Sequence, residues 1–268
     1  MKNITNKVVL ITGAGSGIGK ASAELYVQNG CKVYGIARHE FNIKGVTSIK
    51  GDVSNLEEMK KAVDLVITKE GRIDILVSNA GIGISGSVEF CDTADIKNLF
   101  DVNFMGAVHM CQCVLPHMRA QKSGRIIFTS SVQAFIPIPY MAYYSAFKAA
   151  LDSIACALRL ELKPFNIKVC CVQPGDTQTG FTANRKKKNN DVDNVYDKRE
   201  NKAVACMEKD EGGGMSPQKI ARVIVRCSRR KNPPYTRCVG PFFVFVKWAK
   251  RHLPERFMMW CIKVFYHA

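Results

Sequence analysis

Tyr144 and Lys148 stand four residues apart, and Ser131 lies thirteen residues before the tyrosine. On a helix that spacing places phenol and ammonium on one face, one turn apart. A phenol that titrates near pH ~10 is a poor acid or base at neutral pH. A cation fixed beside it favours the phenolate and lowers that pKa. The pair is therefore a candidate proton donor and acceptor. The same spacing also suits an exposed helix pair with no chemistry, so the neighbouring elements have to decide.

The first 36 residues read as strand, glycine turn, helix, strand. Residues 7–11 are an apolar run of the buried parallel-strand type. Thr12-Gly13-Ala14-Gly15-Ser16-Gly17-Ile18-Gly19 follows, then a helix over residues 20–28 closed by Asn29-Gly30, then a second strand over 32–36. That context makes the glycines a dinucleotide-binding turn. Gly13 allows the tight turn, the bare backbone admits a pyrophosphate, and Gly19 lets helix and strand pack closely. The helix N-terminus offers N–H donors and a positive dipole end. A glycine-rich turn without ligand is the plainer alternative.

The spacing T-G-x-x-x-G-x-G, taken with Ser131, Tyr144 and Lys148, resembles the short-chain dehydrogenase/reductase family over about residues 5–180. Further motifs follow in the family's order. Ser78-Asn79-Ala80-Gly81 resembles the N-A-G motif after a strand at 73–77, and Asp101-Val102-Asn103 matches the helix position of the family's catalytic asparagine. Residues 124–131 match the strand that ends in the catalytic serine, and Pro174-Gly175 with Thr179 matches the P-G motif at the nicotinamide. Thr177 departs from the apolar residue common there, although its backbone can make the same contacts. Asp176 is a charge that faces either substrate or solvent.

The resemblance implies an α/β fold: one Rossmann-type doubly wound parallel sheet of about seven strands flanked by helices, with a C-terminal helical extension. It also implies hydride transfer between a nicotinamide and a carbonyl or alcohol carbon. Tyr144 would protonate the forming alkoxide. Ser131 would hydrogen-bond the same oxygen. Lys148 would lower the Tyr144 pKa and bind the nicotinamide ribose, and Asn103 would hold a relay water. Gly13, Ser16, Gly17, Ile18 and Gly19 would cradle the pyrophosphate. Asp52 and Val53 would contact adenine. Asn79, with Thr12, would pin neighbouring strands beside the cofactor, next to Ala80 and Gly81. Pro174, Gly175, Thr177 and Thr179 would hold the nicotinamide. NAD-preferring relatives carry an acidic residue where this chain has Ala37, and Arg38 follows it. A guanidinium there suits a 2′-phosphate, so NADP(H) is expected over NAD(H). His39 and Ser16 are further contacts for it.

The chain has 268 residues, which fits one α/β domain, and no linker or repeat divides it. The domain expectation is a single unit over 1–268, with a polar lid at 182–215 hinged on Gly212-Gly213-Gly214 and an extension at 241–268. No stretch is long and apolar enough to span a bilayer. The first strand begins within a few residues, so no signal peptide is expected. Eleven irregularly spaced cysteines read as small buried hydrophobes of a cytoplasmic protein, and five scattered histidines show no metal spacing. No metal is expected.

The formal net charge is +16, and residues 182–268 hold 20 Lys/Arg against 8 Asp/Glu. Arg185-Lys186-Lys187-Lys188 and Arg229-Arg230-Lys231 are the densest runs. Three readings stand: attraction of an anionic cofactor or substrate, attraction of an anionic membrane, and an ordinary solvated face. No nucleic-acid recognition motif accompanies the charge.

The substrate is read from less. Residues 134–141 are almost wholly apolar and precede Tyr144, and Phe181 follows the nicotinamide motif. Phe135, Tyr140, Met141 and Phe181, beside Ser131 and Tyr144, are the expected walls for a lipophilic ketone or secondary alcohol. Core packing or a dimer contact is the alternative for the apolar run. After a last strand near 235–240, the extension interleaves Phe, Trp and Met with Lys and Arg, similar to hydroxysteroid and retinol dehydrogenases of the family. It can cover the cleft, lie on a membrane surface, or simply dock on the domain. The expected enzyme is an NADP(H)-dependent hydroxysteroid-type dehydrogenase. A 3-oxoacyl-thioester reductase and a non-catalytic NADP-binding sensor are the alternatives. Helices near 95–118 and 145–162 are expected to pair in a homodimer or homotetramer.

Overall fold

The computed structural model describes residues 3–187 and 195–266. Its elements run β1 (Val8–Thr12), α1 (Gly17–Gln28), β2 (Lys32–Ala37), β3 (Val46–Lys50), α2 (Leu56–Glu70), β4 (Ile75–Ser78), β5 (Ile84–Ser85), α3 (Thr93–Phe100) and α4 (Gly106–Ala120). They continue with β6 (Gly124–Thr129), α5 (Ala142–Glu161), β7 (Ile167–Pro174), β8 (Lys186–Lys187), α6 (Asp197–Gly212), α7 (Pro217–Arg229), β9 (Thr236–Val239), α8 (Pro241–His252) and α9 (Glu255–Tyr266). Seven strands form one parallel sheet in the order β3-β2-β1-β4-β6-β7-β9, and β5 pairs with β8 in a small second sheet. The doubly wound α/β architecture with C-terminal helices is the expected one.

The strands are apolar throughout because both faces are covered, and residue parity decides which face each side chain meets. Val8, Leu10, Leu76, Ile126, Phe128, Val169 and Cys171 join one core with Met59, Val63 and Val66 of α2, Met110 and Val114 of α4, and Leu151 of α5. Val9, Ile11, Ile75, Val77, Ile127, Cys170 and Val172 join the other with Ala23 and Tyr26 of α1 and Ile220 and Ile224 of α7. The buried Tyr26 hydroxyl meets Ser228 at 3.0 Å and ties α1 to the end of α7. Local signals bound the helices. Asn55 caps α2 by accepting from the Glu57 and Glu58 amides, and Gly71 ends it with φ 69°. Pro217 opens α7 after Ser216. All eleven cysteines are free thiols.

The segment expected as a polar lid contains more structure than its composition suggests. Residues 188–194, including Lys188, lie outside the described residues. Beyond them α6 buries Ala203, Val204 and Met207, so three apolar positions suffice to seat a mostly charged helix. Of the glycines expected as a hinge, Gly212 stands in open space and Gly214 is closely packed. A side chain on Gly214 would collide with the Asp176 backbone. Met215 N–H donates to the Asp176 carbonyl at 2.8 Å, and Gln178 N–H donates to the Met215 carbonyl at 2.9 Å.

Strand order reverses between β1 and β4, and both ends of that seam are clasped by side chains. At the N-terminal end, Asp74 is buried and accepts from Val8 N–H at 3.0 Å, from Lys7 Nζ at 3.0 Å and from Arg72 at 2.6 Å and 3.0 Å. Burial alone would raise its pKa. The Arg72, Val8 and Lys7 bonds outweigh burial and hold it below the ordinary Asp range. At the other end, Thr12 Oγ1 accepts from the Asn79 and Ala80 amides at 2.9 Å and 3.0 Å, and Asn79 Nδ2 donates to the Thr12 carbonyl at 3.1 Å. Lys7 and Arg72 are 40% and 44% exposed and water screens them, so the sheltered Val8 bond is the part that counts. Asp74→Asn should cost about 1–3 kcal/mol in urea unfolding at pH 7. Because the folded pKa is depressed, the ionised Asp74 stabilises fully above about pH 4 and loses its effect as pH falls further. The difference between wild type and variant should therefore shrink in acid, and a gap unchanged from pH 7 to pH 3 would contradict this account.

Candidate active site

The cleft opens at the C-terminal ends of the strands, where the sheet order reverses. Two cavities of about 330 and 490 Å³ share Gly13, Ser16, Arg38, His39, Ala80, Gly81 and Ile82 in their walls and so form one groove. Its volume is in the range of a ligand site. Asp52 and Val53 line one end, with Arg38 where the chain leaves β2. Ser131, Tyr144, Lys148, Pro174, Gly175, Thr177 and Thr179 line the other. Gly17, Ile18 and Asn79 lie between.

The floor of the groove is bare where a bound dinucleotide needs room. A Cβ on Gly81 would stand 3.3 Å from Asn103 Oδ1 and 3.7 Å from Lys148 Nζ. Gly13 and Gly17 take positive φ of 67° and 52°, a conformation that favours glycine. The first turn of α1 carries no acidic residue, so its positive end faces the groove uncompensated. Gly19 makes the close packing expected of it and does not enter the groove wall. It is buried, and a side chain there would collide with the Gly13 carbonyl.

Tyr144 and Lys148 lie on α5, both buried, with the ammonium 5.6 Å from the phenol ring centroid. Lys148 Nζ donates to the Thr129 carbonyl at the end of β6, at 2.9 Å. Ser131 Oγ accepts from the Gln133 amide at 3.1 Å as it starts a short 3₁₀ turn. The electrostatics differ from the simple expectation that the lysine lowers the phenol's pKa. Burial dominates and pushes Tyr144 up to about 12, against the Ser131 hydrogen bond, while Glu211 raises it and Arg185 lowers it. Burial also pushes Lys148 down to about 8, with Asp152 acting the other way. In a pocket this dry, both groups favour their neutral forms.

Asn103 occupies a π-helical turn, Asp101–Met105, between α3 and α4. Such insertions often mark functional sites. Its amide is engaged twice with one residue: Oδ1 accepts from Ile82 N–H at 2.8 Å and Nδ2 donates to the Ile82 carbonyl at 2.9 Å. Asn103 thus fixes the backbone at Ile82, just after Gly81.

Of the four side chains expected to wall a substrate, Phe181 lines the groove, its ring 5.5 Å from that of Tyr144. Phe135 turns to the C-terminal extension. Lys247 lies 5.1 Å from its ring centroid, and Lys250 donates to its carbonyl. Tyr140 has φ 60° and offers its carbonyl to Gly86 N–H at 2.9 Å. Met141 is buried behind Tyr144 with Ile84, Leu99 and Val204. The groove-lining residues that sequence reasoning did not name are Ile82, Ile138, Phe243, Tyr266 and Glu211, and Asp176, left between substrate and solvent, lines the groove with them. Phe243 and Tyr266 come from α8 and α9, and Phe243 packs so closely on Gly175 that any side chain there would collide with it. Only amphipathic spacing could have pointed to them. Burial, with Asp210 and Glu211 nearby, pushes Asp176 up to about 6. Glu211 is paired with the buried Arg185. Among the described residues there is no group of metal-ligating side chains.

The short chain dehydrogenase family model matches residues 7–190. Over 97% of its length the chain is 40% identical to a 3-ketodihydrosphingosine reductase of Bacteroides thetaiotaomicron, covering 98% of that protein. It is 38% identical to the 11-beta-hydroxysteroid dehydrogenase-like 2 protein of Arabidopsis thaliana over 68% of this chain and 62% of that one. A short-chain dehydrogenase from Streptomyces avermitilis superposes with a TM-score of 0.80 at 28% identity, covering 90% of both chains. With the family model running from β1 through the cleft and a relative matched nearly end to end, the chain belongs to the short-chain dehydrogenase/reductase family of nicotinamide-dependent oxidoreductases.

Proposed function

We propose that the protein is an NADPH-dependent reductase of a long-chain ketone that carries an amino group beside the carbonyl, the chemistry of 3-ketodihydrosphingosine. The observation that carries this reading is that Phe243 and Tyr266, from the C-terminal helices, stand in the same cleft as Tyr144. The similarity to the Bacteroides reductase extends over 97% of the chain, whereas that to the hydroxysteroid dehydrogenase-like protein covers 68%. Ile82, Ile138, Phe181 and Phe243 give the cleft an apolar wall, and Asp176 gives it an acidic corner beside the Arg185–Glu211 pair. An ammonium suits that corner, and a steroid leaves it unmatched. A hydroxysteroid is the second reading, supported by the apolar wall and by the shorter match to the hydroxysteroid dehydrogenase-like protein. The acyl-thioester reading rests only on the basic charge, and a non-catalytic sensor would not require the buried Ser131, Tyr144 and Lys148 together.

The nicotinamide supplies the hydride. Tyr144, held protonated by burial, donates its proton to the forming alkoxide, and Ser131 positions the same oxygen. Lys148 supplies positive charge beneath the phenol. Asn103 acts as a positioning residue through Ile82. Arg38 would hold a 2′-phosphate and so select NADP(H), Asp52 and Val53 would bind the adenine, and Thr179 would bind the carboxamide. A cytoplasmic setting suits the eleven free thiols. The partners proposed are a second copy through α4 and α5, where Ala107, Cys111, Leu115 and Leu158 line a groove, and a membrane through the extension.

Tyr144→Phe should lower kcat at least about a hundredfold while NADPH binding, read by fluorescence titration, stays unchanged. In wild type, kcat/KM for reduction should fall as pH rises through about 8, where Lys148 loses its charge. A profile flat to pH 10 would remove Lys148 from the proton chemistry. Arg38→Ser should raise the KM for NADPH about ten- to a hundredfold and leave that for NADH unchanged, and tighter wild-type binding of NADH would overturn the cofactor choice. NADPH oxidation should be fastest with the long-chain amino ketone in a panel that includes a steroid ketone and an acetoacetyl thioester. Asp176→Asn should raise the KM for the amino ketone about tenfold and leave that for the same ketone without the amine unchanged. Activity on the thioester alone would sink the substrate assignment.

A further inference from the structure

The outward side of the C-terminal helices is an unusual surface. On α8, Phe242, Phe245 and Trp248 are 62%, 60% and 55% exposed, at a spacing that places them in one stripe. The rings of Phe245 and Trp248 stack at 6.0 Å, and Trp248 stacks on His252 at 4.8 Å. On α9, Phe257, Trp260 and Val264 make a second stripe, with Trp260 58% exposed and its ring 5.9 Å from that of Phe257. Soluble surfaces rarely leave so many large aromatics uncovered together. Cations accompany them. The extension holds five Lys/Arg against Glu255 alone. Lys247 and Lys250 bond inward to Gln173, Thr236 and Phe135. Arg251, Arg256 and Lys263 are exposed and form no ion pair among the described residues.

We propose that this face of α8 and α9 docks the protein on an anionic lipid bilayer and that the same two helices pass apolar substrate from the bilayer into the cleft. Tryptophan and phenylalanine with a cationic fringe are the composition that lies in a headgroup region, and anionic lipid complements the three free cations. No described helix is long and apolar enough to cross a membrane, so the contact is with one leaflet. The opposite side of each helix reaches the cleft, through Phe243 of α8 and Tyr266 of α9. One helix pair therefore separates bilayer from active site by its own thickness. A second copy of the chain fits this face less well, because a twofold contact would bring Arg251, Arg256 and Lys263 toward their own counterparts. Docking stands on these residues alone, while lipid uptake rests on the proposed lipophilic substrate.

The two tryptophans of the chain, Trp248 and Trp260, are both exposed on these helices, so tryptophan emission, excited beyond the tyrosine band, reports on them alone. The full-length protein is mixed with vesicles of phosphatidylcholine, or of phosphatidylcholine with phosphatidylglycerol. Expected are a blue shift, quenching by brominated lipid, and co-sedimentation with the anionic vesicles that weakens in high salt. Phe245→Ser with Phe257→Ser keeps both reporters and should weaken vesicle binding about tenfold or more. Arg251→Glu, Arg256→Glu and Lys263→Glu together should remove the preference for anionic lipid. Both variants should reduce a short water-soluble ketone at the wild-type rate, which shows that the fold is intact. They should lose rate only on a long-chain ketone presented in vesicles. Absence of the blue shift, equal binding to neutral vesicles, or a blue shift without vesicles that grows with protein concentration would each overturn docking. The last outcome would assign the face to self-association. If docking holds but no long-chain ketone is reduced, the substrate reading fails and the surface stands. If wild type and variants reduce vesicle-borne ketone equally, uptake through the helices is refuted.

Discussion

The cleft depends on the seam between β1 and β4. A parallel sheet whose order reverses must leave its helices diverging on either side, and the gap between them is the binding groove. The gap is useful only if the two strands stay in register beneath it. Here the seam is held twice, by Asp74 at the buried N-terminal ends and by Thr12 with Asn79 under the groove. Asn79 spends its amide on the backbone of β1 and the turn, so the turn glycines, the start of α1 and the loop through Gly81 are fixed relative to one another. Asn103 extends the clasp by gripping Ile82 from the far side.

Dryness is the second constraint on the site. The packing that fixes Tyr144 and Lys148 also strips them of water, and burial shifts both toward neutrality. A lysine one turn away is therefore not enough to turn a phenol into a neutral-pH acid. Its ammonium faces the Thr129 carbonyl as well as the ring and is itself weakened as a cation. A charged or strongly polar group arriving in the groove would meet a low-dielectric pocket in which each hydrogen bond counts for more than in water. The raised Asp176 and the buried Arg185–Glu211 pair belong to the same economy of charge.

The C-terminal third gives the scaffold its individuality. Lys247, reaching Gln173 and Thr236, fastens α8 over the edge of the sheet formed by β7 and β9. Phe243 then fills the space above Gly175: glycine admits the ring, and any side chain there would force the ring to move. With α6 buried through Ala203, Val204 and Met207, the Tyr144 end of the groove is built by helices that do not line its Arg38 end.

Much of this was legible in the linear chain. Strands buried on both faces read as continuous apolar runs, glycines mark turns by their spacing, and Tyr144 and Lys148 fall one helical turn apart whatever surrounds them. These are local properties, so the sequence by itself determined the sheet, the glycine turn and the polar groups at its mouth. Composition concealed α6, because three apolar positions among charges look like a solvated loop until something packs on them. The apolar run before Tyr144 carried no mark to show that Phe135 turns to α8 and Met141 to the core while Ile138 faces the groove. Phe243 and Phe242 are neighbours of one type, yet one walls the cleft and the other meets solvent. Which side of an amphipathic helix faces inward, and how far burial moves a pKa, depend on contacts between residues distant in sequence. Only the tertiary structure could decide them.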